Sequence, residues 1–103
     1  MELKVIQSAE PKIHPTAVID PTAILHKNVV IGPYAVIGEN CEIGEGSVIG
    51  AHAVIAKNVR MGKENHIYPH AVIGEDPQDL KFHDEYSTVV IGDHNLIREY
   101  VTI

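Results

Sequence analysis

Residues 31–62 read IGPYAVIGENCEIGEGSVIGAHAVIAKNVRMG, and the spacing inside this stretch decides the fold. Ile31, Ile37, Ile43, Ile49, Ile55 and Met61 stand six apart. Working outward, the same step runs back through Leu25 and Ile19 to Ile13 and forward through Ile67 to Ile73, eleven apolar residues without a miss. A period of 18 runs over it, because Ala-Val-Ile recurs at Ala17–Ile19, Ala35–Ile37, Ala53–Ile55 and Ala71–Ile73. Seven of the eight glycines directly follow a residue of the six-step, and Gly46 alone stands elsewhere. Self-similarity at fixed short periods marks a repeat architecture.

A step of six fits neither common element. A helix would drift out of phase within two repeats, and a half-buried strand needs an apolar residue at every second position. A short strand followed by a corner does fit. Three such sides close a triangle of 18 residues, and successive coils stack at the inter-strand spacing of about 4.8 Å. The expected class is therefore all-β, a parallel β-helix with three hexads per coil. The every-sixth residue, position 1 of the hexad, points inward and meets the residue 18 further on.

Position 5 is small at Ala17, Ala23, Ala35, Cys41, Ser47, Ala53 and Ala71 and no larger than Val at Val29 and Val59. A narrow prism has no room for two large side chains per face, which also accounts for an aromatic content of only 5%. Asn65 breaks this rule. Asn40 and Asn58 fall at position 4, near the corners, where tolerance of positive φ is useful. Gly at position 2 relieves crowding where the chain leaves a corner. A sandwich or barrel of short strands would need hairpin turns every 8–12 residues, and the unbroken six-residue phase argues against it.

The 103 residues make one domain, with a lead-in over 1–12, coils over 13–74, a loop over 75–90 and a resumed coil over 91–103. That amounts to about four to five coils in a prism roughly 20 Å tall. Each coil touches only its neighbours, and both ends are open sheet edges unless capped. The lead-in can cover one end. The pattern is still running at Ile103, so a truncated chain, an oligomer or both are expected.

Net charge is −6 and no basic stripe or aromatic platform appears, which argues against nucleic acid as a partner. The single cysteine, Cys41, excludes an internal disulfide framework and is compatible with a reducing cytoplasm. Its register makes it a small core residue. No signal peptide or membrane span is read in the chain. His66 and His70, four apart, are a weak candidate zinc pair, but no closed set of three ligands is apparent and no metal is expected.

The phase of six fails at Asp79 and Glu85 and resumes at Ile91. The segment between, around 75–88, is polar, charged and marked by Pro77, and it holds Phe82, the one Phe of the chain. Local failure of a scaffold's rule points to a functional site, and loops on rigid scaffolds carry binding groups. An ordinary surface insertion is the plain alternative.

The hexads resemble those of the hexapeptide-repeat acyltransferases, whose coil is a left-handed parallel β-helix. That handedness comes from the resemblance, since crossovers between parallel strands are normally right-handed. The loop sequence Gln78-Asp79-Leu80-Lys81 followed by Ile97-Arg98-Glu99-Tyr100-Val101-Thr102-Ile103 narrows the likeness to the UDP-N-acetylglucosamine O-acyltransferase family. The resemblance covers essentially this whole chain but only the N-terminal portion of such an enzyme.

It implies transfer of a 3-hydroxyacyl group from acyl carrier protein to the 3-hydroxyl of UDP-N-acetylglucosamine, the first step of lipid A synthesis, in a cytoplasmic homotrimer without metal or cofactor. It also implies that Gln78, Asp79 and Lys81 bind the nucleotide-sugar. The family's general base, a histidine, lies downstream of the Val-Thr-Ile segment. None of the seven histidines here matches it, so no catalytic residue is assigned and this chain alone is expected to be inactive. Two alternatives stand beside this reading, a non-catalytic trimerising β-helix scaffold and another hexapeptide-repeat sugar-nucleotide acyltransferase.

Overall fold

The computed structural model describes residues 10–74 and 88–103. Its thirteen strands are two or three residues long and form three parallel sheets, one per side of a prism. The first face stacks β1 (Lys12–Ile13), β4 (Val30–Ile31), β7 (Val48–Ile49), β10 (His66–Ile67) and β13 (Leu96–Ile97). The second stacks β2 (Val18–Ile19), β5 (Val36–Ile37), β8 (Val54–Ile55) and β11 (Val72–Ile73). The third stacks β3 (Ile24–Leu25), β6 (Glu42–Ile43), β9 (Val59–Met61) and β12 (Val89–Ile91).

Six of the thirteen strands are a Val-Ile pair, β-branched residues that suit a pleated, half-buried surface. Successive side chains point to opposite sides. The first of the pair therefore faces out and the second faces in, and Ile37, Ile43, Ile49, Ile55, Ile67 and Ile73 are fully buried. The lower end is less covered, with Ile19 and Leu25 only partly buried and Ile13 exposed.

The corners explain position 4. Asn28, Tyr34, Asn40, Gly46, His52, Asn58, Glu64, His70, His94 and Tyr100 all occupy it, and all have φ between 55° and 76°. This left-handed twist turns the backbone N–H down the prism axis. There it donates to the position-3 carbonyl of the coil below, as from His52 to Pro33, Asn58 to Glu39 and His70 to Ala51 at 3.0–3.1 Å. Above the first coil the hydroxyls of Thr16 and Thr22 accept instead, from Tyr34 N–H at 2.9 Å and Asn40 N–H at 2.8 Å. Gly46, the glycine out of pattern, thus sits at a position-4 corner with φ of 76°.

Asn65, the exception at position 5, is buried and fully bonded. Its Nδ2 donates to the carbonyls of Gly62 at 3.1 Å and Gly92 at 2.6 Å, and its Oδ1 accepts the Asn95 N–H at 2.8 Å. Its own N–H donates to Ser47 Oγ at 3.1 Å. Ser47, Asn65 and Asn95 form a polar ladder that ties three coils together inside one corner.

The stacking of equivalent residues 18 apart holds up to Ile73 and then changes. Ile91 pairs with Met61 and Ile97 with Ile67, each 30 positions back, and Thr102 bridges to Val72. The phase that fails at Asp79 and Glu85 skips no side of the prism, because Ile91 takes the face next after that of Ile73. Twelve extra residues enter at a single corner between β11 and β12. Twelve is two hexads, so the phase of six survives while the face changes.

Candidate functional site

Gln78, Asp79 and Lys81 lie outside the described residues. The segment that carries them departs after Gly74, at the end of β11, and returns at Thr88, before β12. These ends belong to the corner between the second and third faces. Thr88 itself lines an open groove of about 440 Å³ on that corner. Position 4 supplies Thr22, Asn40 and Asn58 from three successive coils, and position 3 supplies Glu39 and Lys57. Position 6 of the third face supplies Ile24, Glu42 and Arg60.

Position 6 is Val, Ile or Leu in most hexads, so Glu42 and Arg60 are exceptions placed in adjacent layers. Glu42 accepts from both sides, with Arg60 Nη1 at 3.3 Å and His26 Nε2 at 2.7 Å. The groups are substantially exposed, so the network orients side chains more than it stabilises the fold. The groove therefore offers hydroxyls, amides and both charge signs, the groups that hydrogen-bond a polar, hydroxyl-bearing ligand. Sequence reasoning missed it. The signal available was the charged pair 18 apart at a position that is apolar in most hexads.

Among the described residues the groove contains no poised nucleophile. Cys41 is buried, and its thiol donates to the Ala56 carbonyl at 2.6 Å. Burial pushes its pKa up, which keeps it protonated and inert. Asp20 is held below the usual carboxylate range by the Thr22 N–H and then by the Thr22 hydroxyl, an ordinary turn arrangement.

The described histidines each have a side-chain or ring partner. His14 contacts Thr16, His26 contacts Glu42, and His94 Nδ1 lies 3.8 Å from Glu64. His66 stacks on Tyr68, whereas His70 stacks between His52 and Tyr100, so this candidate zinc pair is split between different ring groups. Among the described residues no three His, Cys, Asp or Glu gather as a metal ion would require. No helix among them is long and apolar enough to cross a membrane.

The family described as bacterial transferase hexapeptide (six repeats) matches residues 10–44, 22–57 and 40–75. Solved structures give closer likenesses. The UDP-N-acetylglucosamine O-acyltransferase (LpxA) of Moraxella catarrhalis is 48% identical with a TM-score of 0.82, over 87% of this chain and 35% of its own. LpxA of Acinetobacter baumannii is 43% identical with a TM-score of 0.83, over 87% and 35%. The UDP-N-acetylglucosamine acyltransferase of Campylobacter jejuni is 39% identical with a TM-score of 0.82, over 89% and 35%. The chain thus spans about a third of the length of these relatives. None of the curated proteins compared matches it.

Proposed function

The chain belongs to the bacterial transferase hexapeptide family, and from that premise we propose that it is the N-terminal β-helix portion of an acyltransferase acting on UDP-N-acetylglucosamine. The parent protein moves a 3-hydroxyacyl group from acyl carrier protein to the sugar 3-hydroxyl, in a cytoplasmic homotrimer. The observation that carries this is the twelve-residue insertion in an otherwise regular solenoid. It holds Gln78-Asp79-Leu80-Lys81, in a chain 39–48% identical to solved enzymes of that name.

In this reading the insertion supplies the acceptor contacts. Asp79 accepts hydrogen bonds from sugar hydroxyls, Lys81 meets diphosphate or sugar oxygens as a point charge, and Gln78 both donates and accepts. Acyl transfer to a hydroxyl needs a general base and a stabilised oxyanion. None of the described histidines is assigned as that base: His26 meets Glu42 at the groove, and His14, His52, His66, His70 and His94 have ring or side-chain partners.

Calorimetric titration with UDP-N-acetylglucosamine tests the binding half. Binding that Asp79→Ala and Lys81→Ala each weaken is expected, together with protection of residues 75–88 from proteolysis. Unchanged affinity in both variants would remove the loop assignment. A second reading, a scaffold that self-associates without binding the nucleotide-sugar, predicts no heat and no protection.

A further inference from the structure

The lower end of the prism is the least covered part of its core. Ile13, Ile19 and Leu25 face inward at position 1, yet Ile13 is 44% exposed and the other two are only partly buried. One coil up, Ile31, Ile37 and Ile43 hold the same position at 2% or less. The difference follows from the stacking, because β1, β2 and β3 are the edge strands of their sheets at this end. An open coil end offers unpaired backbone groups and apolar side chains together, and a solenoid needs a terminal cap with a polar outer face.

Nine residues precede Glu10 and lie outside the described residues. Their sequence does not follow the hexad, since the six-step carried back from Ile13 meets Gln7. Met1-Glu2-Leu3-Lys4-Val5 instead alternates apolar with charged. A period of two puts Met1, Leu3 and Val5 on one side of an extended segment and Glu2 and Lys4 on the other. We propose that this segment lies across the open end, with Leu3 and Val5 against Ile13, Ile19 and Leu25 and with Glu2 and Lys4 toward solvent.

Reach and tethering select the chain's own segment as the occupant. It joins the prism at Glu10, two residues before β1 begins at Lys12. Val5 and Leu3 stand five and seven residues before Glu10, or at most about 17 and 24 Å at about 3.4 Å per residue. A side of the prism is six residues including its corner, so both can reach all three inward side chains. A short tether holds the segment at an effective concentration in the millimolar range. A second copy arrives only at its bulk concentration and carries the same −6. The capped end then shows two opposite charges in place of an apolar edge.

Nuclear magnetic resonance on the methyl-labelled full chain tests the proposal. Overhauser contacts are expected from the methyls of Leu3 or Val5 to those of Ile13, Ile19 or Leu25. A sample mixed from two labelling patterns shows whether each contact lies within one copy. Thermal melts give a second readout. Leu3→Asp and Val5→Asp should each lower Tm by about 4–8 °C, whereas Glu2→Ala and Lys4→Ala should stay within about 2 °C of wild type.

A wild type in which none of these contacts appears overturns the proposal. Contacts found only between copies overturn it as well, and assign the open end to a second copy. So does a set of melts in which the Asp variants match wild type, or in which all four variants lose stability alike. The contacts are read in wild type, so they decide the matter even where an Asp variant does not fold.

Discussion

Ile91 rests in parallel register on Met61, 30 positions earlier, and not on Ile73, 18 earlier. The twelve residues in excess are therefore removable in principle. Deleting residues 76–87 joins Gly74 and Glu75 to Thr88, Val89 and Val90, which restores a regular hexad from Ile73 to Ile91. The shortened chain should keep its far-ultraviolet dichroism and melt at or above the wild-type temperature, since closing a longer loop costs entropy that grows only slowly with length. Nucleotide-sugar binding should vanish. A shortened chain that fails to fold would show that the insertion is needed by the coil and does not merely ride on it.

The prism was legible in the sequence because its core is one-dimensional. Each Ile repeats the environment of the last, so a single spacing describes all eleven. The register of the last coil was not legible, because an insertion of twelve preserves a count by six. Tyr100 completes the ring stack for the same hidden reason. It stands 30 residues beyond His70, and a search at 18 finds only Tyr34, His52 and His70. Asn65 breaks the pattern because its side chain bonds backbone groups of its own corner, Gly62, and of the next coil, Gly92 and Asn95, which no side-chain pattern shows. Of the candidate site, Gln78, Asp79 and Lys81 were legible only through resemblance, whereas Glu42 and Arg60 were legible in principle as charges at an apolar position.

Asn65→Ala installs the residue that the repeat prefers at position 5 and should nonetheless destabilise. It removes the acceptor of the Asn95 N–H and the donor to the Gly62 and Gly92 carbonyls. Buried groups left unpaired cost about 1–3 kcal/mol each, reduced where water reaches them, so a loss of about 3 kcal/mol is expected in urea denaturation. A change below about 0.5 kcal/mol would mean that the ladder contributes nothing beyond filling space.

Cys41 should resist maleimide in the folded chain and react readily in denaturant, because it is buried and its thiol is tied to the Ala56 carbonyl. Burial raises its folded pKa above the unfolded one. The folded state therefore holds the thiol proton more tightly. That contribution is fully present below the unfolded pKa and lost as pH rises through the folded value. Cys41→Ala should flatten the alkaline limb of the stability profile while leaving its acid limb in place. Rapid native-state labelling near neutral pH would contradict the burial.

Gly44 and Gly92 occupy the same place in the hexad on the same corner, yet they should respond differently to alanine. A Cβ at Gly44 would overlap the carbonyl of Gly62 in the coil above, whereas one at Gly92 meets nothing within 4 Å. Neither has a left-handed backbone, so steric room alone separates them. Gly44→Ala must push two coils apart and should cost about 1–3 kcal/mol, the usual range for overpacking. Gly92→Ala should stay within about 0.5 kcal/mol of wild type. Thermal melts of the two variants, run side by side, decide whether close approach of successive coils is the reason for glycine at position 2. Equal losses in both would place the reason in the backbone conformation instead.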